Sequence, residues 1–189
     1  MTTQPGNKTQ YAILGALSIH PMSGYEIKKM MESSTNYFWT ESNGQLYPTL
    51  AKLAKAKLVT VEKQMLGAKL RKVYSLTQIG KKKLQKWLTE DVESYPQRNE
   101  LLLKIFYGQN VIPEISTNHI KKYSEKCEAA LKIYQNIETK LEAAVKKKEQ
   151  SVYCLLTVKA GVKHAQTELE WCHEAMRLIN RYTNQKIAK

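Results

Sequence analysis

Cysteine is scarce in this chain: Cys127, Cys154 and Cys172 are the only three among 189 residues. An odd number with no C-x-x-C pair argues against a disulfide scaffold and fits a reducing compartment. Long apolar runs are lacking as well. No stretch approaches the ~20 apolar residues of a membrane-spanning helix. Thr2 to Gln10 is polar and has no segment resembling the apolar part of a signal peptide. These gaps lead to the expectation of a soluble, cytoplasmic protein with no membrane partner. Signatures of catalysis are missing too: there is no Gly-rich phosphate loop, no G-x-S-x-G elbow and no H-E-x-x-H pair. The four histidines, His20, His119, His164 and His173, are scattered, and Cys172 beside His173 has no evident orienting partner. Neither an enzyme nor a resident cofactor is expected.

Acidic side chains are outnumbered, 17 against 30 Lys and Arg, for a net charge of +13. Such a surface attracts polyanions, which makes nucleic acid the first partner to consider. The charge does not locate a binding face, because residues 1–95 carry 14 basic and 7 acidic groups and residues 96–189 carry 16 and 10. An apolar share of 42% is enough for a packed core and argues against disorder.

The pattern of elements is more informative. Tyr11 to Ile19 is apolar nearly all round and predicts a short buried helix ended by His20-Pro21. Ser23-Gly24-Tyr25-Glu26 reads as a capping box opening a second helix, with Ile27, Met30 and Met31 on one face. Ser42-Asn43-Gly44-Gln45 repeats the capping pattern and starts a third helix reaching about Ala56. Strands are predicted at 58–65 and 70–76, joined by a turn at Leu66-Gly67-Ala68-Lys69 and leaning inward through Val59, Val61 and Tyr74. A fourth helix from Thr77 packs Ile79, Leu84, Trp87 and Leu88. Three short helices, a basic hairpin and another helix are the order of a winged helix-turn-helix, in which the third helix enters the major groove.

Projected at about 100° per residue, the third helix gathers Leu46, Leu50 and Leu53 inward. Gly44, Pro48, Ala51, Lys52 and Lys55 then face outward, flanked by Gln45 and Tyr47. Small residues admit the backbone to base edges, lysines neutralise phosphates, and a glutamine can pair with adenine. Pro48 either sits inside this helix at the loss of a backbone hydrogen bond or opens a helix that starts near Tyr47. The hairpin adds Lys63, Lys69, Arg71 and Lys72.

Beyond Glu93 the composition changes. Residues 94–99 read as a linker, and Glu100 to Tyr107 as a short helix stopped at Gly108. Pro113 or Ser116 opens a long helix with Ile120, Tyr123, Cys127, Ala130, Tyr134, Ile137, Leu141 and Ala144 spaced 3-4-3-4-3-4-3. The last helix repeats that spacing through Leu155, Val158, Val162, Ala165, Leu169, Cys172, Met176 and Ile179. Two matched seams predict helices side by side, one face closing a domain and the remainder joining two chains. The expected architecture is mostly α with a small β-hairpin: a winged-helix DNA-binding domain at 1–93 and a helical dimerisation domain at 98–189.

Several strings then become familiar. Tyr11 to Leu17, Ser23-Gly24-Tyr25-Glu26-Ile27, Phe38-Trp39, Gly44-Gln45-Leu46-Tyr47-Pro48-Thr49-Leu50 and Val73-Tyr74-Ser75-Leu76-Thr77 with Gly80 together resemble the PadR family of bacterial regulators. The tail, with Glu100-Leu101-Leu102-Leu103-Lys104-Ile105-Phe106-Tyr107-Gly108, is similar to the family's longer, AphA-like members. The resemblance implies a homodimeric regulator, usually a repressor, that binds a palindromic operator in double-stranded DNA and is often released by a small aromatic effector. It implies DNA contacts from Ser42, Asn43, Gln45, Tyr47, Pro48, Thr49 and Lys52 on the helix, and from Lys69, Arg71 and Lys72 on the wing. The wing departs from the family's common Gly-Arg-Pro-Arg-like residues, reading Gly67-Ala68-Lys69-Leu70-Arg71 here. Dimerisation falls to Ile120, Tyr123, Cys127, Tyr134, Ile137, Leu141, Leu169, Cys172, Met176 and Ile179. Tyr134 and Trp171 are the candidates for an effector pocket.

Two further readings stay open. His164, Glu168 and Cys172 recur every four residues and offer ligands to a metal-responsive regulator. A helical interaction module whose winged helix binds protein is the other.

Overall fold

The computed structural model describes residues 8–39, 43–66, 69–93, 98–145 and 151–187. The chain divides into two compact units, residues 1–94 and 95–189.

The first unit opens with α1 (Thr9–Leu17), a two-residue strand β1 (Met22–Ser23) and α2 (Gly24–Glu32). A 3-10 turn at Thr35–Tyr37, α3 (Asn43–Lys55), β2 (Val59–Leu66), β3 (Lys69–Leu76) and α4 (Gln78–Leu88) follow. The capping box is present: Ser23 Oγ accepts from the Glu26 amide, and Glu26 accepts from the Ser23 amide at 2.7 Å. Ile13, Leu14 and Leu17 of α1 meet Ile27 and Met31 of α2, Leu46, Leu50 and Leu53 of α3, and Leu84 of α4 in one buried cluster. Each such side chain contributes roughly 1.5–3 kcal/mol by leaving water, so the three leucines bind α3 firmly to the unit. Tyr11 stacks on Trp87 with ring centroids 4.4 Å apart, tying α1 to α4.

Helix α3 ends in a Schellman arrangement. The Leu58 amide donates to Leu53 O and the Lys57 amide to Ala54 O, while Lys57 adopts a φ of 58°. Thr77 caps α4 by accepting from the Gly80 amide, and its hydroxyl donates to Leu58 O at 3.0 Å. The end of α3 and the start of α4 are thereby joined.

The sheet has three antiparallel strands in the order β1-β3-β2. Strand β1, unforeseen in the sequence, pairs Met22 with Tyr74 and Ser23 with Val73. Other expectations need correction here. Ile79 and Leu88 lie on the outer side of α4, 61% and 66% exposed, leaving Leu84 and half-buried Trp87 to do the packing. Val61 is exposed, so Val59 and Tyr74, with half-buried Leu76, hold the hairpin to the helices. Ile19 lies beyond the end of α1 and is exposed.

The second unit holds α5 (Glu100–Phe106), a 3-10 turn (Gly108–Asn110), α6 (Pro113–Val145) and α7 (Ser151–Ile187). Asn99 caps α5 by accepting from the Leu102 amide. Helices α6 and α7 run antiparallel. Lys159, early in α7, reaches Glu138 and Glu142, late in α6, at 2.9 Å each. The Tyr134 ring lies where a side chain on Gly161 would meet it at 3.4 Å. Ile120, Cys127, Val162, Ala165 and Cys172 are buried between the two helices. The repeating seam therefore closes a helical pair within one chain.

Candidate nucleic-acid interface

Burial sorts the residues of α3. Leu46, Leu50 and Leu53 are 3%, 0% and 3% exposed, whereas Gly44, Gln45, Tyr47, Pro48, Ala51, Lys52 and Lys55 are exposed on the other side. The helix starts at Asn43 and contains Pro48, which answers the question of where it begins. Thr49 is 4% exposed and belongs to the leucine side, so it does not join the outer face. Ser42 and the side chain of Asn43 lie outside the described residues. Lys52 and Lys55 fall in the last turn of the helix, where they also complement the negative end of its dipole.

Tyr47 is half exposed, and its ring crosses the start of α2. A Cβ added at Gly24 would stand 2.8 Å from Tyr47 Cε1, so the bare glycine leaves room for that ring. Burial raises the Tyr74 phenol above its ordinary pKa, with the neighbouring Tyr47 adding to the effect. The Tyr74 phenol therefore stays a neutral hydrogen-bonding group at physiological pH.

On the hairpin, Lys63 stands opposite Lys72 and Gln64 opposite Arg71. Successive residues of a strand leave opposite faces, so Arg71 and Lys72 cannot serve the same surface. Lys72 is exposed. Arg71 is half-buried and its Nη1 donates to Glu26 Oε1 at 3.0 Å. The side chain of Lys69 lies outside the described residues, as do Gly67 and Ala68. Nearer the tip, Met65 and Leu70 form an exposed apolar pair that the charge pattern did not suggest. Lys63 was counted as hairpin charge but not as a contact; the register across the strands, absent from composition, is what singles it out.

In the second unit, the residues marked for dimerisation divide by exposure. Ile120 and Cys172 are fully buried by their own chain and Cys127 nearly so, while Tyr123, Tyr134, Ile137, Leu141, Leu169, Met176 and Ile179 keep part of their surface. Burial pushes the Cys127 thiol up, and the Cys172 thiol up to about 11. Burial also raises the Tyr123 phenol, helped by the neighbouring Cys127 and Glu168. A second group of exposed apolar residues, Leu102, Leu103, Phe106, Tyr107, Ile112 and Ile115, clusters on α5 and the start of α6.

Of the two pocket candidates, Tyr134 is packed across Gly161 and Trp171 is half-buried. A hollow of about 310 Å3 lies elsewhere, lined by Ile105, Pro113, Ser116, Leu178, Ile179 and Tyr182 among others. Among the described residues no group of three or more His, Cys, Asp or Glu is arranged to hold a metal ion. His164 lies 3.8 Å from Glu168 and is exposed, but Cys172 turns away into the helix pair. No helix among the described residues is long and apolar enough to cross a membrane.

Comparison with known proteins agrees with this geometry. Residues 13–86 match the transcriptional regulator PadR-like family, and residues 97–180 match the virulence activator alpha C-terminal family. The chain is 27% identical over 180 residues to the negative transcriptional regulator PadR of Bacillus subtilis, covering 91% of this chain and 97% of that one. The crystal structure of the Bacillus subtilis protein with operator DNA has a TM-score of 0.84 at 24% identity, covering 93% and 99% of the two chains. A structure of that protein with p-coumaric acid gives 0.76 at 24% identity, covering 90% and 98%. The Vibrio cholerae virulence activator AphA gives 0.75 at 26% identity, covering 92% and 99%. With these matches in the order of the two units, residues 13–86 belong to the PadR-like family of transcriptional regulators and residues 97–180 to the virulence activator alpha C-terminal family.

Proposed function

We propose that this regulator acts in the cytoplasm as a homodimeric repressor, reading a palindromic operator with α3 and the hairpin and releasing it when a small aromatic effector binds. The observation that carries the reading is the two-sided α3, with Gln45, Tyr47 and Lys52 exposed over a buried leucine row. Gln45 supplies base readout and Tyr47 contacts a thymine methyl or a phosphate. In sequence Ser42 and Asn43 lead into α3 as further contacts, and Pro48 lets the backbone come close. Lys52, Lys72 and Lys69 meet phosphates.

The exposed apolar residues of α5 and early α6 support a homodimer, since large apolar side chains left in water mark interaction surfaces when several lie close in the chain. The partly exposed flank of the seam, Tyr123, Tyr134, Ile137, Leu141, Leu169, Met176 and Ile179, extends the surface open to a second copy. The Bacillus subtilis relative is known with p-coumaric acid, and a phenolic acid is the effector class proposed here. The hollow beside Tyr182 suits it in size.

Selection of bound fragments from a random duplex pool tests the reading. A specific regulator prefers its selected site over random duplex by about 10³-fold or more, with half-sites about 34–36 Å apart or a multiple of that. Gln45→Ala relaxes preference at one base position, whereas Lys52→Ala weakens binding to all sequences and flattens the salt slope by about one unit. Sizing chromatography reports the dimer, and p-coumaric acid added to the complex reports release. No enrichment of any sequence, or wild-type binding by both variants, would overturn the assignment of α3 as the reader.

A further inference from the structure

We infer that Arg71 is a positioning residue of the wing and not a phosphate contact: through Glu26 it fixes the hairpin to the first turn of α2. The inference rests on the DNA-reading role proposed above for the hairpin and α3. The two carboxylate oxygens of Glu26 have separate partners. Oε2 accepts from the Ser23 amide and the Ser23 hydroxyl, both at 2.7 Å, which completes the helix cap. Oε1 accepts from Arg71 Nη1 at 3.0 Å, 45 residues further along the chain. One side chain thus serves the end of a helix and the edge of a strand together.

The position of Arg71 on β3 gives the link its purpose. Strand β1 pairs with β3 only at Tyr74 and Val73. Toward the tip, from Lys72 onward, β3 has β2 alone as a neighbour, and a two-stranded ribbon is marginal by itself. Arg71 lies two residues past the last β1 rung, where backbone pairing has stopped, and its side chain extends the attachment. Arg71 Nε is buried with no hydrogen-bond partner among the described residues, although the side chain as a whole is one-third exposed. Its charge is already met by a carboxylate, which removes it from the set of cations that displace counterions from DNA.

Glu26→Gln separates the two readings because glutamine at this position still completes a capping box but carries no charge for Arg71. If Arg71 positions the wing, Glu26→Gln and Arg71→Gln weaken binding to a random 25-base-pair duplex to the same degree, about two- to five-fold, as an ion pair of this exposure implies. The salt slope stays at the wild-type value in both. Lys72→Ala, by contrast, flattens the slope by about one unit. If instead Arg71 contacts phosphate, Glu26→Gln frees it, so binding tightens and the slope steepens, while Arg71→Gln flattens the slope; that result overturns the inference.

Amide hydrogen exchange of the Met22–Tyr74 and Ser23–Val73 rungs needs no DNA. It speeds up in both single variants. Unchanged exchange in both singles would refute the link. Wild-type protein that binds no duplex at low salt would instead remove the DNA-reading role, leaving the mechanical tie to be judged by exchange alone.

Discussion

Lys63 and Lys72 stand directly opposite each other across the β2–β3 hairpin, both exposed. Like charges in that position repel and cost the free protein stability. A polyanion laid across the pair reverses the sign of the interaction. Lys63→Ala with Lys72→Ala should flatten the salt dependence of duplex binding by about two units. The same variant should melt no lower than wild type. A salt slope equal to wild type would remove the hairpin from the interface.

Two glycines respond differently to alanine, for geometric reasons. At Gly80 a Cβ would run into the Leu58 carbonyl oxygen, a backbone atom held by the Thr77 cap. Gly80→Ala should therefore destabilise the first unit by about 3 kcal/mol, the upper range for overpacking. At Gly24 the obstacle is the Tyr47 ring, which is half exposed and free to swing aside. Gly24→Ala should stay folded yet bind DNA differently, because a residue of the outer face has been moved. Denaturant titration and duplex binding, measured on both variants, distinguish the two effects.

Lys57 occupies the left-handed position that ends α3, with φ of 58°. An L-residue there costs roughly 1–2 kcal/mol, and glycine avoids that while giving up about 0.5–1 kcal/mol of chain entropy. Lys57→Gly should raise stability by several tenths to about 1 kcal/mol in chemical denaturation. A loss of stability would mean that the lysine stem makes a compensating contact.

The cysteines should react unequally. Cys154 is exposed, whereas Cys127 and Cys172 are buried between α6 and α7. Iodoacetamide at pH 8 should label one thiol in the folded protein and three in denaturant. Burial holds the Cys172 thiol at about 11, above its value of 9.0 in an open chain. The folded state keeps a proton that the unfolded state loses, so this contribution is full below about pH 9 and disappears as pH rises through 11. The alkaline loss of stability should be shallower in Cys172→Ala than in wild type.

Much of this architecture was legible in the residues because its signals are local. The Ser23–Glu26 box lies within one helical turn, and the seams of α6 and α7 each repeat over about seven turns. Helix α3 was also legible, since Leu46, Leu50 and Leu53 share a face at a period the sequence states outright. What escaped depends on distant partners. Strand β1 has two residues, too few for any alternation to appear, and exists only because β3 offers an edge. The Glu26–Arg71 pair joins positions whose proximity is decided by folding. Ile79 and Leu88 read as packed because helical spacing alone does not say where the neighbouring helix stops. Thr49, a DNA contact only by family resemblance, is buried on the leucine side, because a resemblance carries over positions without testing their exposure.

The division of α3 into a leucine row and an outer row has an evolutionary consequence. Substitutions at Gln45, Tyr47, Ala51 or Lys52 leave Leu46, Leu50 and Leu53 untouched. On the proposed reading of α3, target preference can therefore drift from one descendant of this gene to the next with little penalty in folding, and a new regulatory circuit is only a handful of surface changes away.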